Sequence, residues 1–126
     1  MTILVDTSIW IDYFRDGKNS ADMEFLIDEN LITINDIILA ELIPYLKIKK
    51  QAKVVSLLYE INRVPLAIYW EEIIELQIKC LKSGANGIGI PDLIIAQHAK
   101  QNNCEIYSLD KHFRLLCKTL KVSLYK

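Results

Sequence analysis

Short apolar runs recur along the chain and are separated by longer amphipathic segments. The runs TILV (2–5) and LITI (31–34) are rich in β-branched residues and predict strands that are buried on both faces. The run CEIYSL (104–109) predicts a further strand that ends at Asp110. VPLAI (64–68) predicts only a weak strand, because Pro65 restricts it to a sheet edge or a strand end. VSLY (122–125) predicts a last strand.

Helical spacing of apolar residues fills the segments between these runs. In TSIWIDYF, the residues Ile9, Trp10, Tyr13 and Phe14 share one helical face, and Gly17 is expected to end that helix. A second helix is expected to start at Asn35 or Asp36 and to be kinked or ended near Pro44. The pattern predicts further helices at about 20–29, 50–62, 71–82, 91–102 and 111–120.

The alternation of strands with helices predicts an α/β fold. Strands that are apolar on both faces indicate a parallel sheet covered by helices on each side. Such strands are joined by right-handed crossovers, and the working site lies where the strands end, at their carboxyl edge. We therefore expect chemistry-bearing residues to follow the strands directly.

Composition fits a single folded domain spanning 1–126. Hydrophobic residues make up 52% of the 126 residues and charged residues 25%, which is typical of a well-packed globular protein. No apolar run approaches the length of a membrane span, and the first residues lack a signal-peptide pattern, so we expect a cytoplasmic protein. The three cysteines show no C-x-x-C spacing and are expected to be reduced and buried.

The net charge of −1, with 15 Lys+Arg against 16 Asp+Glu, does not indicate a strongly basic nucleic-acid binder. That balance changes if several acids are gathered into one metal site, because the remaining surface is then mildly positive. Lys111, Arg114, Lys118 and Lys121 are the best candidates for contacts to a nucleic-acid backbone. The lysines of KIKKQAK (47–53) are better explained as a solvated helix face.

Four acidic residues are predicted to meet at the carboxyl edge of the sheet. Asp6 and Asp110 each follow an apolar strand, and Asp92 begins a helix. Glu41 lies in IILAELI among apolar neighbours, where a lone ionised carboxylate would cost several kcal/mol, so we expect it to have a counter-charge or to reach the site. Each acid alone could instead be a helix cap, a turn residue or a surface residue. Because all four are predicted to lie at the same edge of the sheet, a shared site is a stronger interpretation than four separate roles.

Carboxylates gathered this closely need a positive charge between them. Oxygen ligands with no His or Cys cluster favour Mg²⁺ or Mn²⁺. Such ions can activate water and stabilise displacement at phosphorus, which predicts phosphodiester hydrolysis. His98 and His112 are expected to be structural or solvated, because a lone helical histidine usually is.

Other functions fit the pattern less well. A receiver domain of a two-component system would need an adjacent acidic pair after the first strand, and LVDTS contains one acid. A haloacid-dehalogenase-type phosphatase would need an Asp where Ser8 stands. A domain of this fold that binds RNA or a partner without cutting is the stronger alternative, although the presence of all four acids argues against it.

Four stretches resemble the PIN-domain ribonucleases, and more narrowly the VapC toxins of toxin–antitoxin pairs. They are LVDTSIWIDYF, DIILAEL, GIGIPDLIIAQHAK and IYSLDKHF, and their order and spacing agree with that family along the whole chain. The resemblance implies a three-layer α/β/α sandwich with a central parallel sheet. It also implies an Mg²⁺- or Mn²⁺-dependent endoribonuclease that forms a homodimer. An antitoxin protein would neutralise this enzyme.

The same resemblance assigns the site residue by residue. The acidic quartet of the family, expected to be both metal-binding and catalytic, falls on Asp6, Glu41, Asp92 and Asp110. The accompanying hydroxyl residues fall on Thr7, with Ser8 beside it, and on Ser108, and they would orient carboxylates or waters. Asp6 and Asp92 would bind the metal directly. Glu41 would bind metal directly or through water, or help to deprotonate the attacking water, and Asp110 would complete the pocket or hold a second ion.

Overall fold

A four-stranded, all-parallel sheet forms the centre of the computed structural model, which describes residues 2–126. Its strands are β1 (Ile3–Val5), β2 (Ile32–Ile34), β3 (Asn62–Arg63) and β4 (Glu105–Tyr107), in the order β3-β2-β1-β4. Every residue of β1 and β2 is buried, as expected for β-branched runs covered on both faces. The predicted parallel sheet is therefore confirmed.

Seven α-helices cover the sheet in the described part of the chain and complete a three-layer α/β/α sandwich. A short 3₁₀ helix at Lys18–Ser20 follows the first of them. The helices are α1 (Thr7–Phe14), α2 (Met23–Asp28), α3 (Asp36–Ile48), α4 (Ala52–Glu60), α5 (Trp70–Lys82), α6 (Ile90–Gln101) and α7 (His112–Leu120). Among these residues, no helix combines the length and apolar character that a membrane crossing requires.

The core lies between the central strands and the inner faces of the helices. Trp10 of α1 is fully buried and stacks on Phe14, with ring centroids 5.7 Å apart. Helix α6 is enclosed most completely, since every residue from Leu93 to Ala99 is buried. The three cysteines are free and buried, as predicted.

Buried Asn35 starts α3 and ties the end of β2 to α6. Its Oδ1 accepts a hydrogen bond from the backbone N–H of Ile38 at 3.0 Å, which caps the helix. Its Nδ2 donates to Nδ1 of His98, also at 3.0 Å. The cap is thus Asn35 and not Asp36, and His98 has the structural position expected of it.

Three predicted strands are wrong in position or extent. VPLAI is not a strand: pairing with β2 ends at Arg63, and Val64 N–H donates the last bond, to Ile34 C=O at 3.0 Å. Pro65 has no N–H to continue the ladder. VSLY forms only an isolated bridge between Leu124 and Ile106.

The reason for the shortened last strand lies at the end of α7. Lys121 adopts the left-handed conformation with φ of 60°, and Val122 N–H donates back to Cys117 C=O at 2.9 Å. The first residue of the predicted strand therefore completes the helix terminus. The strand predicted from CEIYSL is also shorter than expected. It ends at Tyr107, and the hydroxyl of the next residue, Ser108, donates to Asp6.

Pro44 neither ends nor interrupts α3, which runs on to Ile48. Proline removes the N–H that would bond to the carbonyl of Ala40. Ala40 and Pro44 are both exposed, so that carbonyl can bond to water.

Replacing Asn35 with Ala should lower the free energy of unfolding by about 2 kcal/mol, because the α3 cap is lost and the imidazole of His98 loses a buried partner. Urea denaturation monitored by circular dichroism measures this. Asn86→Ala, in an exposed loop, is the matched control and should change stability little. Equal stability of the two variants would contradict the role of Asn35.

Candidate functional site

Asp6 lies where β1 passes into α1, and its carboxylate is held by several donors. One of its oxygens, Oδ2, accepts from Ser8 Oγ at 2.9 Å, Ser108 Oγ at 2.8 Å and Ser8 N–H at 3.4 Å. Asp6 is buried and also serves as the N-cap of α1. It therefore has both of the positions considered for it, a helix cap and a residue at the carboxyl edge of the sheet.

The two serines connect Asp6 to the turn that carries Asp110. In the β1–β4 register, Val5 pairs with Tyr107, so the residues that follow them are neighbours. Ser108 Oγ accepts from the N–H of Asp110 at 2.9 Å, and Ser8 Oγ accepts from the N–H of Leu109 at 2.9 Å. These hydroxyls fix the carboxylate of Asp6 and the backbone leading to Asp110 as one unit.

Glu41 reaches the same edge from α3. Thr7 Oγ1 donates to Glu41 Oε1 at 3.0 Å, which joins the start of α1 to α3. Glu41 is exposed, so the expected apolar surroundings are wrong: the neighbouring residues Leu39 and Leu42 are buried, and Glu41 lies on the outer side of α3. Partial burial raises the pKa of the Glu41 carboxyl, the Thr7 bond opposes that shift, and the charges of Asp6 and Asp92 add to it.

Asp92 stands in the first turn of α6, after Gly89 at the cap position and Pro91. A carboxylate is favourable there because it faces the free N–H groups of the helix start. Partial burial nevertheless raises the pKa of Asp92, and the nearby charge of Asp110 raises it further. The charge of Asp6 raises the pKa of both Glu41 and Asp92, and Asp110 acts on Asp92. The structure therefore brings all four predicted acids close together.

His112, at the start of α7, is the site residue that sequence reasoning missed. Its Nδ1 lies 3.3 Å from Asp110 Oδ1 and 3.6 Å from Asp92 Oδ2, and its backbone N–H donates to Asp110 Oδ1 at 2.9 Å. That Nδ1 atom is buried and has no hydrogen-bond partner. The sequence feature that could have identified His112 is its position, two residues after Asp110 and at the start of a predicted helix.

Gly87 makes room for this imidazole. A Cβ at position 87 would lie 2.9 Å from Nε2 of His112, which is closer than real Cβ contacts. Gly87 thus permits a close approach of the ring to the backbone.

Residues 3–118 match the family model of the PIN domain. This chain belongs to the PIN domain family. A search of curated protein sequences gives no match.

Solved structures share this PIN fold along nearly the whole chain. A chain in the crystal structure of VapBC2 from Rickettsia felis, bound to a DNA fragment from their promoter, is 24% identical with a TM-score of 0.77, and the match covers 99% of this chain and 98% of that one. A chain in the structure of FitAcB from Neisseria gonorrhoeae is 19% identical with a TM-score of 0.68, covering 99% and 97%. At these identities the similarity shows the fold.

The donor set of this PIN domain suits a divalent cation. Asp92, Asp110 and His112 each offer a ligand atom, and these atoms all lie within 4.8 Å of one another. Asp6 and Glu41 extend the set with further carboxylate oxygens. Within residues 2–126, none of the four acids forms an ion pair with a lysine or an arginine, and His112 Nδ1, which lies beside the carboxylates of Asp92 and Asp110, makes no hydrogen bond.

Two basic residues lie near the acids at the start of α7. Lys111 directly follows Asp110, and Arg114 lies one turn further along. Both are exposed, and in the described part of the chain neither is paired with an acid. Of the two, Lys111 adjoins an acid of the site, whereas Arg114 lines a cavity with Glu105, Cys117 and Lys118.

Glu41→Gln should raise the melting temperature by a few degrees at pH 8 in EDTA. A raised carboxyl pKa means that ionisation opposes folding; this penalty is absent below the usual glutamate pKa of about 4.3 and develops as the pH rises through the raised value. Glutamine can keep the Thr7 bond without the charge. Differential scanning fluorimetry across pH should show the gain disappear in acid.

With the cation present, Glu41→Gln should have a lower melting temperature than the parent protein. Saturating Mg²⁺ or Mn²⁺ should stabilise the parent protein more than Glu41→Gln, because the ion relieves the repulsion that the variant has already lost. Glu29→Gln, at the exposed end of α2, should behave like the parent. A Glu41→Gln protein that is less stable than the parent in EDTA would show that ionisation of Glu41 does not oppose folding.

Proposed function

We propose that this PIN domain is a metal-dependent endoribonuclease and the VapC-like toxin of a toxin–antitoxin pair. The observation that carries the proposal is the meeting of Asp6, Glu41, Asp92 and Asp110 at the carboxyl edge of the sheet with no lysine or arginine paired to them in the described chain. Membership of the PIN family supports nuclease chemistry. RNA, rather than DNA, follows from the resemblance to VapC toxins.

The proposed cofactor is Mg²⁺ or Mn²⁺, held by Asp6 and Asp92 with Glu41, Asp110 and His112 around them. When bound, such an ion supplies activation of water and stabilisation of charge at the scissile phosphate. The protein contributes carboxylates that are already in place. Asp6 is held by Ser8 and Ser108, so little of its freedom remains to be lost when the site is filled.

Glu41 is the residue best placed to accept a proton. Its Oε1 accepts from the Thr7 hydroxyl, which leaves Oε2 as the oxygen that would accept the proton. Its raised pKa makes the carboxylate a better base than an ordinary surface glutamate. Lys111 and Arg114 would hold the phosphates on either side of the scissile bond.

Asp92→Asn should reduce cleavage of a fluorescently labelled RNA by about 100-fold or more, because a charge that holds the cation is lost. The parent protein should stop cutting in EDTA and resume with Mg²⁺ or Mn²⁺. Asp28→Asn, an exposed acid at the end of α2, is the matched control. A DNA strand of the same sequence, tested in parallel, determines whether RNA is the substrate.

Full activity of Asp92→Asn with unchanged metal affinity would overturn the assignment of the site. RNA binding without cleavage by the parent protein would favour the alternative, a domain of this fold that binds RNA without cutting it.

His112→Asn should weaken binding of Mn²⁺ more than binding of Mg²⁺, because an imidazole nitrogen suits the transition metal better than Mg²⁺, which prefers oxygen. Isothermal titration calorimetry of both ions measures this without relying on activity. His98→Asn serves as a comparison for loss of an imidazole from the fold, and it should leave the ratio of the two affinities unchanged. An equal loss for both ions in His112→Asn would remove His112 from the ligand set.

An antitoxin is the proposed protein partner, and a groove between α1 and α3 is the surface proposed for it. The groove has a volume of about 370 Å³ and continues onto the start of α4. Its apolar lining includes Ile11, Phe14 and Leu46, with Arg15 and Lys49 at its sides. A segment with apolar anchors and flanking acids fits this chemistry, and the same two helices carry Thr7 and Glu41 into the acidic pocket.

The remaining features of the proposal follow from the resemblance. Residues 1–126 would form one PIN domain that acts in the cytoplasm, where RNA and antitoxin are available. Two copies of the chain would form a homodimer.

A further inference from the structure

A cavity of about 700 Å³ opens beside helix α7, between that helix, the start of β4 and the chain that follows the helix. Its volume lies within the range of about 300–1,000 Å³ that is usual for ligand pockets. The metal chemistry proposed above does not use it, because the acidic pocket lies at the carboxyl edge of the sheet. This α7 cavity is lined by Glu105, Arg114, Cys117, Lys118 and residues 122–126.

Positive charge surrounds the α7 cavity. A smaller hollow of about 150 Å³ adjoins it, and Glu105 is the one acid that lines both. Five basic residues line the cavity or the hollow, namely Lys100, Arg114, Lys118, Lys121 and Lys126. All five are exposed, and within residues 2–126 none of them forms an ion pair. In a chain whose net charge is −1, this concentration of unpaired cations favours an anionic ligand.

Part of the lining is apolar and fixed in place. Val122 and Leu124 pack partly buried against the core. Burial raises the pKa of the Cys117 thiol to about 11, so the thiol is uncharged at neutral pH. The N–H of Tyr125 donates to the backbone of β4 at 2.8 Å, and its hydroxyl donates to Asp22 at 2.9 Å. A fixed apolar surface beside cations suits a ligand that combines a base with a phosphate.

Helix α7 connects this cavity to the acidic pocket. Asp110 and His112 lie at its start. The positions of Lys111, Arg114 and Lys118 are three and four residues apart, which places them on one helical face over about 10 Å. A strand whose phosphates followed this face would leave the acidic pocket past Arg114 and reach the cavity at Lys118.

We propose that the α7 cavity is a second binding site for the RNA substrate and holds a nucleotide that is removed from the cleavage point. The phosphate of this nucleotide would lie against Lys118, and its base against the apolar lining at Val122 and Leu124. A small free anion would need only one or two of the cations, whereas a polynucleotide uses a track of them. The inference rests on the RNA substrate of the proposed function, and it concerns how that RNA is bound and not how it is cut.

Trimming the RNA tests whether a distant nucleotide occupies the cavity. Removal of nucleotides one at a time from each end should raise KM of the parent about 10-fold at one step on one side, with little change in kcat. Lys118→Ala should raise KM for the untrimmed RNA by a similar factor. The same trimming step should then have little further effect in Lys118→Ala, because the lost nucleotide and the lost ammonium group belong to one contact.

Binding in EDTA measures the same contact without cleavage. Fluorescence anisotropy of the labelled RNA at several salt concentrations gives the slope of log Kd against log salt. Lys118→Ala should reduce this slope by about 0.7, because one phosphate contact fewer releases fewer counterions. Lys118→Arg keeps the charge and should keep the slope. Lys53→Ala removes an exposed lysine of α4 and is the matched control, with the slope of the parent expected.

A gain of binding tests the cavity independently of any loss of stability. Ser123 is exposed and lines the cavity. Ser123→Lys should tighten RNA binding several-fold, and Ser123→Glu should weaken it, because the added charge attracts or repels phosphates there. Ser56→Lys, at an exposed serine of α4, is the control and should bind RNA as the parent does.

Equal salt slopes for Lys118→Ala and Lys53→Ala would overturn the proposal. So would independent effects of trimming and of Lys118→Ala, or a parent protein that binds no RNA. Binding in EDTA with the expected loss in Lys118→Ala, but no cleavage when metal is added, would overturn only the nuclease. Metal-dependent cleavage that Lys118→Ala leaves unaffected would overturn only the role of the α7 cavity.

Discussion

The central constraint on this structure is the cost of holding partly buried carboxylates close together at one edge of the sheet. Partial burial is the larger cause of the raised pKa of Glu41 and of Asp92, and the neighbouring acids add to it, so folding opposes the ionisation of both groups. Short, fixed connections keep them there: Asp6 directly follows a buried strand, and Asp92 stands in the first turn of a buried helix. The hydroxyls of Thr7, Ser8 and Ser108 offset part of the cost by donating to the acids. A divalent cation would supply the net positive charge that these hydroxyl groups lack.

Much of this arrangement could be predicted from the sequence because its signals are local. Apolar β-branched runs identified β1 and β2, and acids directly after strands or at a helix start identified Asp6, Asp92 and Asp110. The chain-wide resemblance added the three hydroxyl residues, which the structure places in contact with the acids.

What could not be predicted depends on geometry between distant segments. Val64 ends the pairing of β3 because Pro65 follows it, so the strand lies before the apolar run and not within it. Glu41 turns outward because the phase of α3 is set by Leu39 and Leu42 packing inward. His112 reaches the acids beside Gly87, 25 positions earlier in the chain, where a Cβ would press on its ring. The approach of His112 to Gly87 and to the acids leaves no periodic signal in the sequence.

Helix α6 connects the acidic site to the start of α5. Its first turn carries Asp92, and further along Gln97 accepts from the N–H of Tyr69, donates to the carbonyl of Tyr69 and donates to Glu72 at 2.6 Å. Those bonds fix the start of α5 on the buried helix that also holds a site carboxylate. The most enclosed helix of the fold therefore fixes both a site carboxylate and the start of α5.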